Sequence, residues 1–221
     1  MYKRIGIIGG MSPESTAEYY LYITREYTRR FGDYAYPEIL ICSVSFQPYV
    51  DWPKGERWDL IAQGLIEAAR RLERAGADFA LIATNTMHMV LGEVQAGVSI
   101  PVLSLLDAVG EAIEAQQLTR VGLLGTCFTM EKAFYQDALR RRGIEVIVPG
   151  PADRQTVNDV IYQELVAGQV REASRAAYAE IVGRLAQAGA QGVILGCTEI
   201  PLLLRPADVD LPLFDSTVLH A

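Results

Sequence analysis

Short apolar runs alternate with longer amphipathic stretches along the whole chain. Ile5-Gly6-Ile7-Ile8 is an unbroken apolar run closed by Gly9-Gly10, the pattern of a strand buried on both faces. Ser12-Pro13-Glu14-Ser15 then predicts a helix start. Ser12 is the expected N-cap, Pro13 the first helical residue, and Glu14 suits the helix dipole. That helix is expected to run through Tyr20 and Tyr27 to about Arg30. Residues 38–46 read as a second strand, with Ser43 and Ser45 alternating against Cys42 and Val44. Residues 47–58, with two Pro, one Gly and two Trp, are expected to form a loop able to fold over a site. Helical spacing over 60–75 stops at Gly76, a strand follows over 79–82, another over 98–103, and a helix over 107–115.

The pattern then restarts. Val121-Gly122-Leu123-Leu124-Gly125-Thr126 echoes Ile5-Gly6-Ile7-Ile8-Gly9-Gly10. Thr129 is the expected N-cap of a helix beginning near Met130 and ended by Gly143. A strand is expected over 144–148, a turn at Pro149-Gly150-Pro151, and helices over 156–167 and 172–188. Residues 184–199, RLAQAGAQGVILGCTE, repeat residues 71–86, RLERAGADFALIATNT. Aligning Arg71 with Arg184 superposes Ala75-Gly76-Ala77 on Ala188-Gly189-Ala190 and sets Thr84 opposite Cys197. Each copy reads as a helix end, a glycine stop, a short buried strand and a polar strand end. A last strand is expected over 211–214.

Strands alternating with helices predict an α/β fold with parallel sheets covered on both faces. The internal repeat resolves this into two similar α/β lobes in pseudo-two-fold arrangement, residues 1–100 plus 206–221 and residues 101–205. In such sheets ligands bind at the carboxyl ends of strands. The active site is therefore expected in the cleft between the lobes, with a hydroxyl on one side and a thiol on the other.

Half of the 221 residues are hydrophobic, enough for a sizeable core, and the formal net charge is −7. No basic run is long enough to follow a phosphate backbone, so nucleic acid is not an expected partner. No stretch approaches a bilayer-spanning length, so no membrane association is expected. Cys42, Cys127 and Cys197 have no metal-like spacing, which suits a reducing cytoplasm and predicts neither disulfides nor a metal site. The Gly9-Gly10 turn lacks the full dinucleotide pattern, and no phosphate-binding lysine motif follows it. No cofactor is expected.

A strand-end thiol can act as base or nucleophile where its surroundings lower its pKa. Cys197, followed by Thr198 and Glu199, is the candidate. Cys42 reads as a small core residue within a strand, and Cys127 is more readily structural than catalytic. His88 is a possible tuner of a neighbour or a helix-start residue, and His220 carries no expected role.

Taken together, Gly9-Gly10-Met11-Ser12, Ala83-Thr84-Asn85-Thr86-Met87-His88, Leu124-Gly125-Thr126 and Gly196-Cys197-Thr198-Glu199 resemble the signature of the aspartate/glutamate racemase family. The resemblance spans nearly the whole chain. It implies cofactor-independent racemisation of aspartate or glutamate by a cytoplasmic homodimer. One cysteine removes the α-proton from one face, and a second returns a proton to the other. The family's second motif, G-C-T, is intact at Cys197, but its first, C-N-T, has Thr84 in place of cysteine. By that analogy Cys197, as thiolate, takes the α-proton of the L-substrate and Thr84 serves the opposite face. Met11, Asn85, Thr86, Thr126 and Thr198 are implied to hold substrate. Glu199 either assists a neighbour or caps a short helix, and Lys54 and Arg57 are candidate partners for the side-chain carboxylate. The loss of one cysteine leaves two alternatives: a single-thiol decarboxylase of malonate-type acids, which the superfamily also resembles, and a non-catalytic binder of acidic amino acids.

Overall fold

A computed structural model describes residues 3–221; residues 1–2 of the expected first lobe lie outside them. The chain forms two α/β lobes, each with a four-stranded, all-parallel sheet. The first comprises the chain up to Leu105 together with His220–Ala221, and the second comprises Leu106–Leu219.

In the first lobe, β1 (Ile5–Gly9), β2 (Ile39–Ser43), β3 (Phe79–Ile82) and β4 (Val102–Leu103) lie in the order β2-β1-β3-β4. Every residue of β1 is buried, because helices cover both faces. Ile7 joins Tyr19 and Ile23 of α1 (Pro13–Phe31), whereas Ile8 joins Ile61, Leu65 and Leu72 of α3 (Trp58–Arg74). The Ser12 hydroxyl accepts from the Ser15 N–H and caps α1, as the Ser-Pro-Glu start predicts.

The expected loop over 47–58 is a correction. Its residues form α2 (Phe46–Asp51) and a 3₁₀ turn, Pro53–Gly55. Pro48 and Pro53 fall in first turns, where an N–H has no intrahelical partner to lose. Tyr49 is buried and packs edge-on to Trp52, with ring centroids 5.2 Å apart. Burial of these rings against α3 outweighs the loop-like composition. Of the strand expected over 98–103, only Val102–Leu103 pairs with β3, and α4 (Leu91–Ala96) precedes it.

The second lobe repeats the order as β6-β5-β7-β8, from β5 (Arg120–Leu124), β6 (Glu145–Ile147), β7 (Val193–Leu195) and β8 (Leu213–Asp215). Its helices are α5 (Leu105–Ala115), α6 (Cys127–Glu131), α7 (Phe134–Arg140), α8 (Pro151–Gln163), α9 (Glu172–Gln187), α10 (Ile200–Leu203) and α11 (Ser216–His220). Two helix starts differ from expectation. Thr126, not Thr129, caps α6 by accepting from the Thr129 N–H. Pro151 is not the end of a turn but opens α8, since proline is preorganised for a first helical position. The two copies of the repeated stretch end their helices alike, with Gly76 at φ 90° and Gly189 at φ 94°, a left-handed conformation that costs glycine little.

The chain's end departs from the expected boundaries. The repeat places residues 206–221 with the first lobe, yet β8 pairs with β7 and Phe214 is buried in the second. Only His220–Ala221 return to the first lobe, where Ala221 packs with Ile5, Tyr19 and Leu81.

Candidate active site

In each lobe the third strand, β3 or β7, ends in the candidate residues. In the first lobe Ala83 and Asn85 are buried and Thr84 and Thr86 half-buried. The Ala83 N–H donates to the Ile8 carbonyl (2.9 Å), and the Thr84 N–H donates to the Ile82 carbonyl (2.8 Å). From α1, the buried Ser15 hydroxyl donates to the Ala83 carbonyl (2.9 Å). Met11, also buried, belongs to the same core cluster as Met87. Gly10, between β1 and Met11, has φ 91°, and a Cβ there would lie 2.4 Å from the Val44 carbonyl oxygen. Glycine is therefore required where the chain turns past β2.

His88 fixes the next link. Its Nε2 accepts from the Leu105 N–H (3.0 Å), so the ring proton is on Nδ1. Nδ1–H in turn donates to the Thr84 carbonyl (2.9 Å). His220, assigned no role by sequence, is buried beside it, with ring centroids 5.5 Å apart. Its Nε2–H donates to the Leu103 carbonyl (3.1 Å), which leaves Nδ1 to accept from the Tyr19 hydroxyl (2.8 Å). Burial first, then His88, hold the His220 pKa down to about 3. Sequence carried no signal for this pairing, because the two histidines are far apart in the chain and share no motif spacing.

In the second lobe the corresponding strand end carries Cys197, Thr198 and Glu199, all half-buried. The Cys197 thiol donates to Glu199 Oε2 (3.0 Å), and the Thr198 hydroxyl donates to the same oxygen (2.8 Å). Thr126 stands at the end of β5, and the Gly196 N–H donates to the Leu124 carbonyl (2.7 Å). Asn158 of α8 accepts from the Cys127 N–H (3.0 Å), and the Cys127 thiol faces the Arg154 carbonyl at 3.7 Å. Burial raises the Cys127 pKa and gives the residue a structural character.

The expected lowered pKa of Cys197 is corrected. Its pKa is held well above the usual thiol value, first by burial and then by the Glu199 carboxylate, through both charge and hydrogen bonding. The Thr198 and Glu199 N–H groups act in the opposite sense but more weakly. A carboxylate, not a cation, is the nearest charge, so the resting group is a thiol. Glu199 supplies an adjacent proton acceptor.

The first lobe thus groups Met11, Thr84, Asn85 and Thr86 around the ends of β1 and β3, and the second groups Thr126, Cys197, Thr198 and Glu199 around the ends of β5 and β7. Lys54 and Arg57 are not presented by a free loop. Lys54 pairs with Asp51 (3.1 Å) and Arg57 with Asp59 (2.7 Å), all well exposed. Among the described residues no group of three or more His, Cys, Asp or Glu could hold a metal ion, and no helix is long and apolar enough to cross a membrane.

Two like-ordered parallel α/β lobes with polar strand ends define the fold class of the amino-acid racemases. The family profile described as Asp/Glu/Hydantoin racemase matches residues 8–221. A crystal structure of a protein from Yersinia pestis is 41% identical, with TM-score 0.94, covering 99% of this chain and 96% of that one. The structure of an aspartate racemase homologue from Pyrococcus horikoshii OT3 is 40% identical, with TM-score 0.88 and coverage of 99% and 96%. The broad specificity amino-acid racemase RacX of Bacillus subtilis (strain 168) is 28% identical over 216 residues, 96% of this chain and 92% of that protein. The chain belongs to the Asp/Glu/hydantoin racemase family, and its activity class is amino-acid racemisation.

Proposed function

We propose that this enzyme racemises aspartate and glutamate without a cofactor, Cys197 acting on one face of the α-carbon and Thr84 on the other. The observation that carries the reading is positional. Thr84 and Cys197 stand at the same place in the repeat, just past the third strand of two sheets with the same strand order. Each half-site provides one proton-carrying group, and racemisation needs one on each face.

With L-substrate bound, the Cys197 thiol proton passes to Glu199 Oε2, to which it is already hydrogen-bonded. The freed sulfur lone pair takes the α-proton: the Cα–H bond breaks, an S–H bond forms, and the electron pair spreads into the substrate carboxylate. A thiolate of raised basicity is a stronger acceptor for such a weakly acidic proton. The opposite face receives a proton from the Thr84 hydroxyl, or from a water it holds; solvent restores that proton, and Glu199 releases the one it took from Cys197 to solvent, which closes the cycle. A threonine hydroxyl is far too weak an acid to rest as an alkoxide, so removal from the D-substrate is the slow direction. The equilibrium ratio of the enantiomers is unaffected. Met11, Asn85, Thr86, Thr126 and Thr198 are assigned to substrate, and the proposed working assembly is a cytoplasmic homodimer, whose mass in solution light scattering would test.

A second reading concerns the substrate alone. Lys54 and Arg57 already hold carboxylates of their own, which favours a broader amino-acid range, as in the broad specificity racemase RacX.

The test is α-proton exchange in D₂O, followed by NMR, on separate L- and D-samples of acidic and neutral amino acids. Wild type is expected to wash out the α-proton of L-substrate preferentially. Cys197→Ala should abolish this, and Thr84→Cys should extend exchange to D-substrate. Silence with every amino acid, or CO₂ release from an arylmalonate instead, would sink the racemase reading.

A further inference from the structure

In the first half-site Thr84 and Thr86 stand where the second has Cys197 and Glu199. A buried ring there grips the backbone of Thr84. Both main-chain polar groups of Thr84 are engaged, the N–H by the Ile82 carbonyl and the carbonyl by His88 Nδ1–H. His88 is itself oriented at its other nitrogen by the Leu105 N–H. Its ring packs edge-on to His220, which bridges Tyr19 of α1 and the Leu103 carbonyl at the end of β4. A hydrogen-bonded ring of fixed tautomer is thus set against the one residue whose side chain must reach the far face of the substrate. Neither histidine has a role in the proton transfers described above.

We propose that His88, braced by His220 and Tyr19, is a positioning residue that fixes the Thr84-Asn85-Thr86 turn for proton delivery to the second face of the substrate. The inference rests on the racemase reading and adds a residue to it. The chain's last residues, through His220, become part of the same support. Proton delivery depends steeply on placement: an error near 1 Å costs on the order of 10²-fold. Releasing the Thr84 carbonyl from His88 removes the one side-chain bond to the backbone of Thr84 itself and leaves its N–H bonded to Ile82.

Two variants separate the two bonds of the ring. An asparagine amide reaches about as far as Nδ1 and can keep the bond to the Thr84 carbonyl. A glutamine amide reaches as far as Nε2 and can keep the Leu105 bond while releasing Thr84. The quantity to measure is a partition on L-substrate in D₂O, namely inversion to the D-enantiomer against deuterium incorporation with retention. Cys197 governs retention and Thr84 governs inversion. His88→Gln should lower the inversion-to-retention ratio by about tenfold or more, with retention largely preserved, and His88→Asn should hold the ratio within about twofold of wild type. A purely structural role would lower both processes together and leave the ratio fixed, and that result overturns the proposal. Backbone amide NMR of Asn85 and Thr86 gives an answer whether or not the wild type turns over. Shifts confined to His88→Gln support the positioning role, and identical spectra for the two variants overturn it. A silent wild type with those shifts present would remove the racemase reading while leaving His88 as the support of this turn.

Discussion

The two lobes are alike where they are scaffold and unlike at the strand ends that carry the candidate residues. Gly6 and Gly122 hold the second and third positions of β1 and β5, and each lies against a leucine from the repeated stretch. A Cβ on Gly6 would meet Leu72 Cδ1 at 3.2 Å, and one on Gly122 would meet Leu185 Cδ1 at 2.8 Å. Leu72 and Leu185 are equally buried, each 3% exposed. Past the third strand the likeness ends. Cys197 faces a carboxylate at Glu199, whereas the matching Thr84 is gripped through its carbonyl by His88. The packing of a helix on a strand admits few residues, so both copies keep the same ones. A strand end that faces a ligand is constrained by the chemistry it must do, and in the proposed mechanism the two ends serve opposite faces of the substrate.

The sharpest way to break the comparison is to remove the carboxylate. Glu199→Gln deletes the acceptor for the thiol proton, and α-proton exchange from L-substrate should fall by about 10²- to 10⁴-fold, the usual contribution of a general base. The sign for the thiol itself is opposite. Burial still raises its pKa, but the negative charge that raises it further is gone. The thiolate fraction at pH 8 should therefore rise, and with it the rate of alkylation by iodoacetamide. Faster alkylation together with faster exchange would show that Glu199 only restrains Cys197, and the two half-sites would then be closer in kind than proposed.

Both lobes were legible because the repeat preserved its packing residues: Ala-Gly-Ala after Arg-Leu, then a buried strand. The strand β3 is legible because Gly76 and Asp78 precede its apolar run and the polar Thr84-Asn85-Thr86 follows one residue past its end. Composition misled where tertiary burial overrode it, as at Tyr49 and Trp52, whose rings drive a Pro-rich segment into helix. The terminal β8 pairs in the second lobe and not the first, which sequence does not specify, because a short apolar run encodes a strand but not its neighbour. Cys197, Thr198 and Glu199 were readable as a group, being consecutive. The direction of the thiol's shift was not, since it depends on the Glu199 carboxylate turning back onto the sulfur. The His88–His220 contact joins residues distant in sequence, and no local pattern encodes it.

The scaffold half of the comparison is open to a stability test of intermediate size. Leu72→Ala and Leu185→Ala each empty a site of the same burial against a strand glycine, and each should cost about 3 kcal/mol. Hydrogen exchange read by mass spectrometry assigns the loss. Leu72→Ala should accelerate exchange in β1 and β3, and Leu185→Ala in β5 and β7. Costs differing by more than about 2 kcal/mol, the spread between Leu→Ala sites that collapse differently, would mean that the repeat no longer packs its two copies equivalently.

The smallest expected effect belongs to the first lobe alone. His220 is neutral when folded, with a pKa near 3, against about 6.5 when unfolded. A folded-state pKa below the unfolded value means that the unfolded chain binds the extra proton between those limits. The contribution of His220 is therefore complete above pH 6.5 and declines as pH falls toward 3, by about 1.4 kcal/mol per unit. Between pH 6.5 and 5 the expected loss is about 2 kcal/mol. The carboxylate of Glu26, which its hydrogen bonds and ion pairs with Arg29 and Arg30 hold near 2, loses its contribution only below its ordinary value of 4.5, so it leaves the range from pH 6.5 to 5 to His220. His220→Gln offers a donor for the Leu103 carbonyl and an acceptor for the Tyr19 hydroxyl without a titrating ring. Urea unfolding of this variant should show a flatter pH dependence from 6.5 to 5 than wild type, at some cost in stability at pH 7. An unchanged slope would mean that His220 is not the group charged on unfolding, and the first lobe would lose the acid sensitivity that sets it apart from the second.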